Sequence, residues 1–172
     1  MTPPDRTDLD RLKAGHRDAW DEFVGRHRRM VYAVGYRMTG NAADAEEASQ
    51  EAFLAFSRAL PSFRGDARPS TFLYRIAVNA ALRLSCRRAA APLEGEPEAP
   101  VPEESRDEVL SKVRAAVLGL PPQQRAVFTL RHYQGQRVEE IAETLELSAG
   151  TVKAHLHQAV LNLRDALREV SR

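Results

Sequence analysis

Cationic and amide side chains recur along one stretch of the sequence at intervals of four residues. They are Arg75, Asn79, Arg83 and Arg87, and this interval places them on one face of a helix. Guanidinium groups bind phosphates, and an asparagine amide can both donate to and accept from the edge of a base. This arginine stripe therefore indicates a contact with the backbone and one base of a nucleic acid. The alternative is that the arginines pair with acidic residues or only keep the surface hydrated.

A second set of polar side chains lies in residues 138–163, VEEIAETLELSAGTVKAHLHQAVLNL. Apolar residues at helical spacing predict two helices separated at Glu146 and Leu147, with Ser148 as the cap of the second helix. This is the layout of a helix-turn-helix, and an ordinary helical hairpin is the alternative. The second helix turns small, polar and cationic side chains away from its apolar side: Thr151, Lys153, Ala154, His155, His157 and Gln158. Such side chains suit a helix that enters the major groove of DNA.

A third set of side chains is acidic. Residues 42–60 predict a helix that follows Gly40 and is capped by Asn41. One side of this helix carries Asp44, Glu46, Glu47, Gln50 and Glu51. A run of this kind is typical of a solvated face, and an acidic docking surface for a basic partner is the alternative.

The composition excludes several kinds of chemistry. The single cysteine, Cys86, excludes an internal disulfide and a multi-cysteine zinc site, and His155 and His157 have no third metal ligand near them in the sequence. No nucleophile, base or metal ligands cluster along the chain, so we expect no enzyme, no metal and no cofactor. The net charge is only +1, so a nucleic-acid contact must come from local basic faces.

The sequence also bears on location. No apolar run reaches the length of a membrane span, and the first ten residues, MTPPDRTDLD, do not form a signal peptide. We therefore expect a soluble, cytoplasmic protein.

The apolar patterns predict an all-α protein made of two small helical domains, 8–88 and 105–172, of which the second contains the helix-turn-helix. The linker between them, residues 89–104, is rich in proline, alanine and glutamate, so we expect it to remain flexible and extended. In the first domain the predicted helices are 8–14, 17–39, 42–60 and 70–88. In the second, a capping box at 105–108 opens one helix, and two prolines at 121–122 open the next.

The residues 61–69, PSFRGDARP, predict a loop just before the arginine stripe. Phe63 lies in this polar segment and needs an apolar partner. Ser70 is the predicted cap of the helix that carries the stripe.

Four stretches resemble, in the same order, the extracytoplasmic-function sigma factors of bacteria, which are compact members of the sigma-70 family. They are DAEEASQEAFLAF at 44–56, FRGDARPSTFLYRIAVNAALR at 63–83, LPPQQRAVFTLRHYQG at 120–135 and VEEIAETLELSAGTVKAHLHQA at 138–159. The resemblance covers nearly the whole chain. It implies a protein that directs core RNA polymerase to promoters and promotes strand opening. A free-standing helix-turn-helix regulator that binds operators as a dimer is the alternative.

The resemblance implies roles for particular residues. The acidic face, with Asp44, Glu47, Gln50 and Glu51, would grip the clamp helices of the polymerase's largest subunit. The loop and the following helix would hold and read a base flipped out of the −10 element and would contact the neighbouring phosphates. The residues of this −10 set are Phe63, Arg64, Gly65, Asp66, Arg75, Asn79, Arg83 and Arg87. The six small, polar and cationic residues of the second helix-turn-helix helix would read the −35 element as duplex.

Further contacts and partners follow from the same resemblance. Arg88 would follow the phosphates beside the −10 element, and Arg125 and Arg131 would contact the DNA backbone from the second domain. The partners implied are core RNA polymerase, through its clamp helices and the flap of its second-largest subunit, promoter DNA, and an anti-sigma factor. No insertion into a membrane is implied.

The chain departs from the family at a few positions. Phe72 stands where tryptophan is frequent, and the smaller ring should still pack. Glu146 stands where glycine is common in the turn, and a left-handed conformation there would cost about 1 kcal/mol. His155 and Gln158 stand where arginine is frequent, so we expect a changed base preference and a weaker dependence of DNA binding on salt.

Overall fold

The computed structural model describes residues 6–65, 67–90 and 108–170. Within these ranges the chain forms α-helices and no strand, which confirms the all-α prediction. The helices are α1 (Arg6–Lys13), α2 (Arg17–Thr39), α3 (Ala42–Ala59), α4 (Pro69–Ala90), α5 (Glu108–Leu118), α6 (Pro122–His132), α7 (Val138–Leu145) and α8 (Ala149–Val170). A short 3-10 turn, Leu60–Ser62, follows α3. Most of the predicted linker, residues 105–107 of the predicted capping box at 105–108, and the loop residue Asp66 lie outside the described residues.

The ends of several helices follow from single residues. Gly40 ends α2 in a left-handed conformation, with a φ of 72°, which costs glycine little because it has no Cβ. The Asn41 side chain accepts a hydrogen bond from the Asp44 N–H at 2.9 Å and so caps α3. Ser148 Oγ accepts from the Thr151 N–H at 3.0 Å and caps α8. The predictions for these three ends are confirmed.

The start of α4 differs from the prediction. The helix begins at Pro69 and not after Ser70, so Ser70 lies inside its first turn and is not the cap. The Phe72 N–H already donates to the Arg68 carbonyl at 3.0 Å. Proline is well suited to a first helical position because its fixed φ is helical and its missing N–H would be unpaired there.

Three long helices, α2, α3 and α4, pack on one another and form the N-terminal core. Phe56 is fully buried at its centre and stacks on Phe23, with ring centroids 5.0 Å apart. Helices α2 and α3 approach closely at Gly35, where a Cβ atom would lie only 3.0 Å from the Ala45 carbonyl oxygen. This core holds α4 rigidly and fixes the direction of its exposed face.

The C-terminal helices have two apolar contacts. Val117, Leu120, Ala159 and Leu163 form a small cluster that joins α5 to α8. Other apolar residues of this half belong instead to the same buried cluster as the N-terminal core: Ala126, Val127, Leu130, Ile141, Leu145 and Val152. Helix α4 packs on α6 and α7, and α2 packs on α5 and α6. The two sets of helices are therefore in contact, which the sequence did not indicate.

The apolar spacing of residues 149–163 predicts Val160 on the buried side of the second helix-turn-helix helix, together with Val152 and Ala159. This prediction is wrong for Val160, which is 51% exposed. Val152 and Ala159 are fully buried there, as predicted.

Candidate nucleic-acid interface

The distal half of the arginine stripe faces the acidic side of α3. Arg83 forms an ion pair with Glu51 at 2.6 Å, and Arg87 forms one with Glu47 at 2.5 Å. Because α3 and α4 run antiparallel, a third pair follows in register, between Arg88 and Asp44. In this conformation the arginines pair with acidic residues, which is the alternative that their spacing left open. We call this row of three pairs the α3–α4 ladder.

Asp44 differs from the other members of the acidic face. Its residue is only 3% exposed, and its backbone N–H is held by Asn41. The prediction that Asp44 shares the exposed face is therefore wrong, because it lies in the first turn of α3 on the side that packs on α4. Glu47 and Gln50 are exposed and Glu51 is half-exposed, so these three remain accessible to a partner.

An apolar groove lies beside this acidic face, between α2 and α3. It is lined by Val24, Arg28, Arg29, Tyr32, Glu46, Ser49, Gln50, Phe53 and Leu54. Leu54 is 57% exposed at its edge. The sequence pattern did not indicate this groove, although Leu54 follows Gln50 by four residues and so shares the acidic side of the helix. Tyr32 is also exposed in this groove, so the groove offers contiguous apolar surface with charged residues at its edge, as protein-binding surfaces do.

The loop before α4 is held by an aromatic stack. Phe63 stacks on Phe72, with ring centroids 4.7 Å apart and planes at 11°, which supplies the predicted apolar partner. Lys13, which the sequence did not single out, donates to the Phe63 carbonyl at 2.5 Å. Gly65 has a φ of 82° and turns the chain, while Arg64 is exposed. Two residues after Phe72 on α4, burial raises the pKa of Tyr74 to about 12, so its phenol is neutral.

The proximal half of the stripe contacts the C-terminal half of the chain. Asn79 Nδ2 donates to the Thr144 carbonyl at 3.0 Å. Arg75 donates through Nη1 to Glu143 Oε1 at 2.9 Å and through Nη2 to the Glu143 carbonyl at 3.1 Å. Both α4 residues are half-buried by this contact with the last turn of α7.

Helix α8 presents the side chains that were predicted to enter a groove. Lys153, Ala154, His157 and Gln158 are exposed, and Thr151 and His155 are half-buried. Val152 and Ala159 anchor the opposite side of the helix. Gln158 Nε2 donates to Asn162 Oδ1 at 3.0 Å. The six residues therefore lie together on an accessible face with no bulky apolar side chain among them.

The turn before α8 has the predicted strained residue. Glu146 has a φ of 56° and a ψ of 42°, which is the left-handed conformation. Leu147 follows and packs half-buried on the apolar cluster. This turn fixes the angle between α7 and α8.

Arg125 is half-buried between α2 and the α5–α6 turn. Its Nη1 donates to the Met38 carbonyl at 2.6 Å, and its Nη2 donates to the Leu120 carbonyl at 2.9 Å. Burial of this guanidinium lowers the pKa of Arg125. Its expected role as a backbone contact is not available in this conformation, because the side chain joins α2 to the α5–α6 turn. Arg131 is exposed and donates to the Gln136 carbonyl at 3.0 Å.

No group of three potential metal ligands occurs among the described residues. Within the same ranges, no helix combines the length and the apolar character needed to cross a bilayer.

Comparison with protein families matches both halves of the chain. Residues 23–91 match Sigma-70 region 2, and residues 110–163 match Sigma-70, region 4. The chain belongs to the sigma-70 family. We therefore call α1–α4 region 2 and α5–α8 region 4.

Curated relatives narrow this assignment to the extracytoplasmic-function group. The RNA polymerase sigma-H factor of Pseudomonas aeruginosa is 30% identical, over 95% of this chain and 94% of that protein. The ECF RNA polymerase sigma factor SigE of Mycolicibacterium smegmatis is 33% identical over 89% of this chain, which spans 63% of that longer protein. The predicted sigma-factor identity is confirmed, and the alternative of a free-standing regulator is not favoured.

A solved structure supports the fold. The sigma factor RpoE of Bartonella quintana, in complex with the anti-sigma factor NepR, matches with a TM-score of 0.64 and 19% identity, over 87% of this chain and 96% of that one. The helices of both regions thus follow an arrangement known for a sigma factor.

Proposed function

We propose that region 2 docks on core RNA polymerase and reads the −10 element as single strand, and that region 4 reads the −35 element as duplex. The observation that carries this proposal is the pair of separate surfaces on one chain: α4 with its stacked Phe63 loop and Asn79, and the polar face of α8. The chain thereby acts as a promoter-specificity subunit in the cytoplasm and has no catalytic chemistry of its own.

The docking surface on region 2 is the acidic face of α3 together with the α2–α3 groove. Glu47, Gln50 and Glu51 would meet basic residues of the clamp helices, and Leu54 would add apolar contact. Such an interface needs both the charged residues and the apolar residue. The charges steer the encounter between the partners, and buried apolar surface supplies much of the binding affinity. In region 4, the exposed Val160 is a candidate contact for the flap of the second-largest subunit.

Strand opening by region 2 rests on base capture. Unstacking a base costs a few kcal/mol, and holding the flipped base in a pocket offsets part of that cost. The Phe63 and Phe72 rings give the loop a rigid wall, and the Asn79 amide can donate and accept at a base edge. Arg83 and Arg87 would follow the phosphates after leaving their carboxylate partners on α3.

An anti-sigma factor is the proposed regulatory partner. The supporting observation is the likeness of fold to a sigma factor that was solved with its anti-sigma factor. Such a partner would cover the acidic face and the α2–α3 groove.

Transcription in vitro tests these roles. Core polymerase and genomic DNA of the source organism would be used as template, with the 5′ ends of transcripts sequenced. We expect Asn79→Ala to leave polymerase binding unchanged and to reduce opening at least about tenfold, the loss of one well-placed base contact. Thr71→Ala, an exposed change two turns earlier on α4, is the matched control.

Polymerase binding is tested separately. We expect Glu51→Ala to weaken binding of the chain to core polymerase, measured by displacement of a labelled wild-type chain. Glu22→Ala removes an exposed acid of region 2 that also pairs with an arginine, and it should bind as wild type does. If Glu51→Ala and Glu22→Ala behave alike, the acidic face of α3 is not the docking surface.

A further inference from the structure

A chain of three side-chain amides connects the proposed DNA-reading face of α8 to α6. Gln158 Nε2 donates to Asn162 Oδ1 at 3.0 Å, and Asn162 Nδ2 donates to Gln124 Oε1 at 2.8 Å. We propose that this amide relay orients Gln158 to read an adenine in the −35 element, with Asn162 and Gln124 as its positioning residues. The inference rests on the proposed function of α8, and it names the base that one residue of that face selects.

The relay is held by rigid backbone on both helices. Gln158 and Asn162 are four residues apart on α8 and so share one face. The residues that directly follow them, Ala159 and Leu163, are buried in the apolar cluster that joins α8 to α5. Helix α6, which carries Gln124, packs directly on α8. The distance between the three amides is therefore fixed by the packing of region 4.

Gln124 is available for this contact because of the proline before its helix. It is the third residue of α6, which begins at Pro122. A glutamine at this position commonly binds back to the backbone N–H of the cap residue. Here the cap residue is Pro121, which has no N–H. The half-buried Gln124 side chain can therefore turn to α8 and accept from Asn162.

The direction of the relay decides what Gln158 offers to DNA. A side-chain amide has two N–H donors and one carbonyl acceptor. Gln158 uses one N–H for Asn162, which leaves one donor and the acceptor on an exposed side chain. This pair complements adenine, whose major-groove edge presents the N6 donor and the N7 acceptor. Guanine presents two acceptors, N7 and O6, so one of them would face the Gln158 carbonyl oxygen without a hydrogen bond.

Without the relay, the same side chain would be less selective. The terminal torsion of a glutamine is broad, so a free amide can turn and donate both of its N–H groups to guanine. The relay therefore contributes discrimination between bases more than affinity. Its loss should change the base preference at one position of the element.

The test measures base preference with the full chain bound to core polymerase. A promoter mapped by transcription in vitro supplies the template, and every base pair of its −35 region is replaced in turn by the other three. Relative transcript yields give the preference at each position. Gln158→Ala identifies the position that Gln158 reads, because the preference should disappear there. We expect the wild type to favour adenine over guanine at this position by about tenfold, the discrimination of one well-placed contact.

The first pair of variants tests whether Asn162 positions Gln158. We expect Asn162→Leu to reduce the adenine preference at that position to less than about threefold and to leave the other positions unchanged. Asn162→Asp keeps an oxygen acceptor for Gln158 Nε2 and should retain the preference. Each preference is a ratio within one variant, so a general loss of folded protein does not alter it.

A second pair of variants tests the direction of the relay. Gln124→Glu keeps an acceptor for Asn162 Nδ2 and should behave as the wild type does. Gln124→Lys offers only donors, so the Asn162 amide should turn over and present its N–H to Gln158 Oε1. Both N–H groups of Gln158 are then free, and the preference should shift from adenine towards guanine. The changed charges should affect all sequences alike, because they act on phosphates and not on base edges.

An unchanged adenine preference in Asn162→Leu overturns the proposal, as does the same base preference in Gln124→Lys and Gln124→Glu. A wild type that favours another base at the position lost in Gln158→Ala, or a Gln158→Ala variant that alters no position, overturns it too. The proposed −35 reader fails separately, if transcription by the wild type is indifferent to every base pair of the −35 region. The two failures are therefore distinguishable.

Discussion

Glu146 is the one non-glycine residue with positive φ in the described part of the chain. A left-handed conformation costs a residue with a Cβ about 1–2 kcal/mol. Glycine avoids this strain, but it loses more conformational entropy on folding. We expect Glu146→Gly to raise the free energy of unfolding of the chain by about 0.5–1 kcal/mol. Urea unfolding followed by far-UV circular dichroism would measure it. Lys153→Gly, inside α8, should instead lower it by about 1 kcal/mol, and a loss of stability in both variants would contradict the strain at Glu146.

Residue types could be read well from the sequence where one side chain decides a local structure. Asn41 and Ser148 cap helices as predicted, because each is a short acceptor placed directly before an apolar helical pattern. Phe63 found its apolar partner in Phe72. Ser70 does not cap α4, because the helix already begins one residue earlier, at Pro69, and proline suits the first helical position.

At the scale of elements, the α3–α4 ladder joins pairs of unequal exposure. The Asp44 side chain is 4% exposed, whereas that of Glu47 is 56% exposed. An exposed ion pair contributes about 0–1 kcal/mol, but removing the partner of a buried carboxylate leaves a charge without compensation. We expect Arg88→Ala to lower the free energy of unfolding by about 1–3 kcal/mol, the range for orphaned buried polar groups, and Arg87→Ala to lower it by less than about 0.5 kcal/mol. Urea unfolding followed by Trp20 fluorescence compares the two, and equal losses would contradict the argument.

The helices were predictable because apolar periodicity and caps are local, but the pairing between helices was not. The i, i+4 spacing places Arg75, Asn79, Arg83 and Arg87 on one face, and it holds no information on what that face meets. In the structure, half of the stripe meets α3 and the other half meets α7. The ladder also explains why Asp44 is buried. The sequence pattern placed this residue on an exposed face, but the antiparallel packing of α3 on α4 covers it.

At the scale of the whole molecule, region 4 packs on region 2 through an interface that the sequence did not predict. From the sequence alone, apolar residues such as Val127 and Leu130 would be assigned to the separate core of a small domain. In the structure they belong to the cluster that both regions share. Each region has too few helices to bury all of its apolar surface alone, since small domains bury a smaller share of their surface. Contact between the regions therefore completes both cores.

Arg125 provides the sharpest test of this coupling. It joins the Met38 carbonyl of region 2 to the Leu120 carbonyl of region 4. Because domains that share a core unfold together, we expect the wild-type chain to unfold in coincident transitions by Trp20 fluorescence and by far-UV circular dichroism. Trp20 is the single tryptophan and lies in region 2, so its fluorescence reports that region, while circular dichroism reports all helices.

Arg125→Ala should separate the two transitions, because it removes both hydrogen bonds and weakens the interface by about 1–3 kcal/mol. The circular dichroism should then begin to fall before the fluorescence changes, as region 4 unfolds first with its smaller core. Arg131→Ala removes an exposed arginine that makes a local hydrogen bond, to the nearby Gln136 carbonyl, and its transitions should stay coincident. If the wild-type transitions already differ, or if Arg125→Ala leaves them coincident, regions 2 and 4 do not share their stability.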